Sequence, residues 1–404
     1  MPQHLWRRLT KSLPRPDLRS IITGVAATSA FVLSFVLIDL PHGAEHWSDD
    51  LRTSWLSDRL PSQHPKIALI YVDDKSLEKY PYVSPIDRQF LGRLIEEIDA
   101  AGAAVIGIDI ILDRPTESEK DDSLLQTFKR ARAHLVFGIL DSRTSLPVRN
   151  RKFHEQFIEQ ATAQPNRSAG HIYLDEKRDT LTVSDNVVRL IVGQLDDQVT
   201  RKGFAEEMAT AAGSRWFPES HHISWLLTPE NGTETFLALS AEQILSRNGD
   251  GPELPLKQLL GGKIIIIGGN FPNSDQHLTP LSVTNGERYP GAFIHAQILA
   301  QLLAKRSIIE LGWLGKLTIL CVAFCLGTWA GNRDRHGHWH LALELAAVTA
   351  LIAFDFLIFW RFKLILPIVS VLLFLLAGYT YGRYSRRNER PAAPKKRRAF
   401  HEHV

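Results

Sequence analysis

Seven polar side chains are spaced so that one site can use them: Asp73, Asp74, Ser76, Arg88, Asp109, Asp275 and His295. Asp73, Asp74 and Asp109 stand at the C-terminal ends of short β-branched apolar runs, and Asp275 follows a third such run. In an open α/β sheet that edge is where ligands bind. Carboxylates gathered there can hold Ca²⁺ or Mg²⁺, or accept hydrogen bonds from an amine or a sugar, while Arg88 and His295 can contact an anion. The same residue types also have a purely structural use. Asp or Ser after a strand caps the next helix, and Arg88 can pair with one of the aspartates. Three carboxylates in one crevice repel unless a cation, an arginine or a ligand neutralises them, so no cofactor is expected beyond a divalent cation.

Other constellations carry less chemistry. Gly268-Gly269-Asn270 lacks both GxGxxG and GxxxxGK[ST] and reads as a turn. His336, His338 and His340 alternate in a short loop and read as interfacial histidines rather than a metal clamp. Cys321 and Cys325, the only 2 cysteines, lie one turn apart in an apolar run and read as helix packing. No HExxH, GxSxG or kinase signature occurs, so no catalytic residue is assigned and the chain is not expected to be an enzyme.

The elements that must position these residues lie inside a segregated charge pattern. Residues 39–310 hold 29 basic and 38 acidic side chains, a net of −9, and the remainder holds 18 and 6, a net of +12. The acidic middle repels phosphate, which removes nucleic acid as a partner. Long apolar runs in the basic remainder exclude a plain soluble enzyme, a disordered chain and a collagen-like fibre. Residues 20–38 carry no charge over 19 positions, enough to cross a bilayer core. Residues 311–330, 341–360 and 364–382 supply three more candidate spans. Within the third of the four, Asp355 is expected to pair with Arg361 near the membrane surface.

Lys and Arg near the span ends set the orientation. Arg7, Arg8, Lys11, Arg15 and Arg19 precede the first span, Arg333 and Arg335 follow the second, and Arg383 to Arg398 follow the fourth. The expected organisation is a cytoplasmic basic N-terminus (1–19), a span (20–38), an extracytoplasmic domain (39–310), three spans (311–382) and a basic cytoplasmic tail (383–404). The first run reads as an uncleaved anchor rather than a signal peptide, because no small-x-small site follows it.

The extracytoplasmic domain alternates strands and helices. Residues 66–74 read as a buried strand, 88–101 as a helix capped by Asp87 and ended by Gly102, and 103–111 as a second strand. Strand, helix, strand at this spacing is a βαβ unit, so the sheet should be largely parallel with flanking helices. A helix at 123–131, a strand at 135–140, a helix at 235–245, a strand at 263–268 and a helix at 292–303 follow. Residues 141–218 are expected to hold a hairpin and a helix.

The ordered set VDDKSL at 72–77, Arg88 after a Pro-rich turn, GIDIIL at 107–112, KIIIIGG at 263–269, SDQHLTP at 274–280 and PGAFIHAQILAQLL at 290–303 resembles the CHASE-type-2 sensory domain. The likeness extends over about residues 40–310, with three spans following as in that family. The family's aromatic-Pro-aromatic-Pro-Arg turn is replaced here by PYVSPIDR at 81–88. Family members usually continue into a cyclase, kinase or diguanylate cyclase domain, whereas this sequence reaches only about 22 residues past the last apolar run.

The resemblance implies a bacterial inner-membrane receptor. It would bind a small molecule or protein outside the cytoplasm and pass the signal to a cytoplasmic or membrane partner in trans. The basic tail is expected to face anionic lipid. A homodimer is left open. So are two rival classes, a membrane-anchored metal-dependent hydrolase and an envelope assembly protein.

Overall fold

The computed structural model describes residues 40–140, 146–175, 186–192, 201–246, 255–272, 274–333 and 339–389. The first apolar run, the basic tail beyond Glu389, His336 and His338 lie outside these residues. A helix at the start, α1 (Leu40–Leu56), leads into the α/β domain.

Six strands form one parallel sheet: β1 (Ile67–Val72), β2 (Val105–Asp109), β3 (His134–Ile139), β4 (Arg167–His171), β5 (Leu237–Ser240) and β6 (Ile264–Gly269). Their order across the sheet is β4-β3-β2-β6-β1-β5. β1 and β6 are uninterrupted apolar runs because a parallel sheet is covered on both faces. Alternate residues therefore enter different cores. Ala68, Ile70, Ile106, Ile108, Ile265 and Ile267 pack under α3 (Arg88–Ala100), α4 (Ser118–Arg130) and α5 (Val148–Thr162), with a short helix α2 (Asp74–Leu77) after β1. Ile67, Leu69, Val105, Ile264 and Ile266 pack on the opposite side under α6 (Phe204–Ala211) and, later in the chain, α9 (Gly291–Ala304).

Local chemistry starts and stops these elements. Asp87 caps α3 by accepting from the Gln89 and Phe90 amides at 2.9 and 3.0 Å, and Gly102 ends the turn after it at φ 86°. Phe90, Leu91, Leu94, Ile95 and Ile98 of α3 are wholly buried, each contributing about 1.5–3 kcal/mol of apolar transfer.

Two expectations for the domain are corrected. Residues 235–245 are not one helix: β5 pairs with β1 first, and α7 (Ala241–Leu245) begins only at Ser240, which forms a capping box with Gln243. The apolar residues Phe236, Leu237 and Leu239 are taken by the sheet edge, and tertiary pairing overrides local helix propensity. The described part of 141–218 contains α5, β4 and α6 and no hairpin; β4 joins the sheet parallel to β3. A further short helix, α8 (Leu256–Leu260), precedes β6.

Beyond the domain come α10 (Trp313–Gly331), α11 (Trp339–Phe362) and α12 (Ile368–Glu389). Among the described residues two helices are long and apolar enough to cross a membrane, Trp313–Gly331 and Ala342–Phe362. The fourth apolar run forms α12, which carries Arg383 and Arg386 in its last turns. α10 and α12 run parallel and nearly touch at their backbones. A Cβ at Gly327 or Gly331 would overlap the Leu375 or Tyr379 carbonyl oxygen, and one at Gly378 or Gly382 would overlap that of Phe324 or Thr328. Each helix thus presents a GxxxG step to the other, the packing that brings membrane helices together without bulky side chains.

Asp355 does not pair with Arg361. Its partner is Arg52 of α1, and Arg361 lies over the Phe362 ring. A carboxylate on a helix of membrane-spanning length needs a buried counter-ion, and α1 delivers one that is wholly enclosed.

Candidate functional site at the sheet edge

The chain runs from β1 outward through β2, β3 and β4, returns beyond β1 as β5, and enters the middle last as β6. The direction of winding therefore reverses around β1, β6 and β2, and the crevice beyond their carboxyl ends is the favoured ligand position of such a sheet.

Around that edge the candidate residues separate into three groups. Asp73 and Ser76 belong to the first. Asp73 caps α2, accepting from the Ser76 amide at 2.8 Å and the Ser76 hydroxyl at 2.6 Å, and Ser76 Oγ lies 3.4 Å from Ser240 Oγ. Asp74 is exposed in the first turn of α2. Arg88 forms the second group. Buried at the start of α3, it donates to Asp121 Oδ1 at 3.0 Å and to the Ile86 and Arg114 carbonyls at 3.1 and 2.7 Å. The expected pairing of Arg88 with a strand-end aspartate is therefore not made, because Asp121 of α4 satisfies the guanidinium.

The third group gathers Asp109, Asp275 and His295, and brings in His277 and His171. Asp109 ends β2 beside Gly268 of β6, on the sheet face covered by α6 and α9. The two glycines there make room for carboxylates. A Cβ at Gly268 would lie 2.5 Å from Ala292 Cβ and 3.4 Å from Asp109 Oδ2; one at Gly291 would lie 2.9 Å from Asp275 Oδ1. Asp275 holds a left-handed backbone at φ 57°, which a short polar side chain tolerates better than most.

Asp275 is compensated. His277 Nε2 is 2.9 Å from its Oδ1, donating in the tautomer that satisfies the carboxylate, and the N-terminus of α9 at Gly291 lies against it. Asp109 is not compensated: its Oδ2 is buried with no hydrogen-bond partner. Burial first, and the nearby Asp275 charge second, hold the Asp109 carboxyl well above the usual range, with His277 pulling the other way. His295, on the first turns of α9, is 3 % exposed and packs edge-on to Phe204 at 5.2 Å. Burial pushes its pKa down to about 4, so the ring is neutral at physiological pH, and its Nδ1 has no partner. His171, at the end of β4, is among the charges that act on His295.

The arrangement presents a buried carboxyl whose burial favours the neutral form, a compensated carboxylate 43 % exposed to solvent, and neutral imidazole. That set accepts hydrogen bonds and attracts positive charge. Among the described residues no three His, Cys, Asp or Glu side chains converge closely enough to hold a metal ion.

Sequence reasoning missed His277 and His171 here. The signal for His277 was present, since it follows Asp275 by two positions in a strand-end loop; His171 had none, because β4 is not a recognisable strand in the sequence. Arg52 was missed as well, although an aspartate in a candidate span called for a partner.

A family model for the CHASE2 domain matches residues 23–329. No curated protein matches the chain, and no solved structure does.

Proposed function

We propose, from the premise that this chain belongs to the CHASE2 family of extracellular sensory domains, that it is a bacterial inner-membrane receptor for a positively charged small molecule bound at the β2–β6 edge. The observation that carries the ligand class is Asp109. A fully enclosed carboxyl oxygen without a partner, beside a second carboxylate and at the point where the sheet's winding reverses, is costly unless something binds there. A ligand cation would take the place of the proton on Asp109 and share Asp275. An organic amine suits the donor set better than a divalent metal, which needs several oxygens converging on one point. Asp73, Asp74, Ser76 and Arg88 fall outside this ligand set.

Four spans with both termini in the cytoplasm remain the proposed topology. It is supported by the parallel course of α10 and α12, which an intervening return through α11 requires, and by Arg333 and Arg383 near their shared end. Trp313 and Trp360, both largely exposed, fall at the opposite end, as interfacial tryptophans do. The signal passes through this block to a signalling partner, and the protein is not itself an enzyme.

Thermal unfolding of the full chain in lipid nanodiscs tests the ligand class. Methylammonium, choline, arginine and putrescine should include at least one that raises the melting temperature, and Asp109→Asn should remove that rise. Stabilisation by Ca²⁺ or Mg²⁺ alone would replace the amine with a metal, and no stabilisation by any cation would reject the site.

A further inference from the structure

Binding at the sheet edge matters to a receptor only if it moves something at the membrane, and two connections lead there. The obvious one is α9, which starts against Asp275 and ends just before the pair Ile309–Glu310, itself joined to Leu364–Ile365 between α11 and α12. α9 is clamped along its length. Gln297 holds both the amide and the carbonyl of Leu226 at 2.8 and 3.0 Å, and Gln301 holds the Ser224 amide and the His222 carbonyl at 2.7 and 3.1 Å. Shifting α9 would break these buried bonds together, so it behaves as part of the frame.

The second connection is a chain of discrete polar contacts. One residue beyond His277, the Leu278 carbonyl accepts from the Val188 amide at 2.8 Å. The next residue, Arg189, grips Asp50 of α1 with two parallel bonds of 2.8 and 2.7 Å. Two positions on, Arg52 faces the membrane helices, where it bonds Asp355 of α11 and the Leu366 carbonyl just before α12 at 3.2 Å. Glu45 of the same α1 caps α12, accepting from the Val369 and Ser370 amides at 3.3 and 3.0 Å. Asp50, Arg52 and Asp355 are all buried, at 3 %, 0 % and 1 % exposure.

Arg52 also has an alternative. It bonds Asp49 on its own helix, so it can keep one carboxylate while releasing Asp355. Both contacts are made at once through different nitrogens, and a second arrangement with α1 freed from α11 and Arg52 kept by Asp49 is what a distant site would have to bias.

We infer that Arg189, Asp50 and Arg52 form the transmission route, coupling the sheet-edge site to α11 and α12 through a shift of α1. The inference rests on that edge being the sensory site, and its test needs no ligand. Hydrogen exchange of the full chain in lipid nanodiscs is compared between the wild-type protein and Asp275→Asn, which removes the charge of the half-exposed carboxylate at the edge and suits its left-handed backbone. The change should appear both near residues 275–295 and at residues 355–370, in the latter at least threefold. Adding Arg189→Gln should abolish the effect at 355–370 and leave it at 275–295. An effect at 355–370 that survives Arg189→Gln would assign transmission to α9 and overturn the inference, as would no effect there in Asp275→Asn alone. If Arg189→Gln loosens the whole domain, the exchanged pair Asp50→Arg with Arg189→Asp decides: transmission returns if the route is right, and a folded exchanged pair that stays silent overturns it. Failure of amines to bind would refute the ligand class without touching this result.

Discussion

Asp109 from the end of β2 and Asp275 from the loop after β6 meet at one edge of the sheet, and only Asp275 has a counter-group: His277 lies 2.9 Å from it, whereas Asp109 Oδ2 is buried with no partner. This inequality makes the edge a site rather than a balanced structural cluster. It also fixes the sign of several effects.

Asp109 has a raised pKa in the folded protein, so the folded state holds its proton more tightly than the unfolded chain does. That contribution is fully present below the unfolded value near 4 and is lost as pH rises toward the folded value. Asp109→Asn removes the dependence. Its gain over wild type should grow from pH 4 upward and reach about 1 kcal/mol or more at neutral pH. Denaturant melts at several pH values read this directly, and a variant less stable than wild type at pH 7 would mean that the carboxylate has a partner after all.

His295 acts in the opposite direction. With a folded pKa of about 4, it binds a proton more readily when unfolded. Stability therefore falls as pH drops from about 6.5 toward 4, by roughly 3 kcal/mol for a fully expressed shift. His295→Gln should flatten that acid limb. An unchanged slope would place the acid sensitivity elsewhere, with His64 the next candidate because burial also pushes it to about 4.

The Arg52–Asp355 pair is enclosed on both sides. Arg52→Gln leaves the Asp355 charge buried alone and should cost about 3–5 kcal/mol, Asp355→Ala should cost less because Arg52 keeps Asp49, and Arg52→Met with Asp355→Leu should cost less than Arg52→Gln. A double-mutant cycle on thermal unfolding measures the coupling, and additive losses would show the two residues to be independent.

Gly327 and Gly378 permit backbone contact between α10 and α12. Gly327→Ile or Gly378→Ile should separate the helices and destabilise the protein in detergent by about 1–3 kcal/mol, read as a lowered melting temperature, whereas the neighbouring exposed Leu326→Ile should do little.

The parts of the fold that were legible in the sequence are those whose pattern is local. β1, β2 and β6 are short β-branched runs, and α3 declares its cap, stripe and stop within fifteen or so residues. β5 was hidden because Leu237–Ser240 carries an equally good helical pattern and becomes a strand only by pairing with β1. β4 was hidden because Arg167, Ser168 and Gly170 look like a turn; Gly170 is needed where the strand meets the Gly203–Phe204 backbone. Asp109 was visible as a strand-end carboxylate. Its separation from Arg88 and Asp73 was not, because that depends on which sheet face and which helix N-terminus each side chain serves.

The central claim is that Asp109 holds a proton which a ligand cation displaces. Isothermal titration of the stabilising amine into the full chain in nanodiscs, repeated in buffers of different ionisation enthalpy, counts that proton. The account predicts proton release on binding by the wild-type protein, with binding and release both lost in Asp109→Asn. Binding that releases no proton, or that is unchanged in Asp109→Asn, would contradict it.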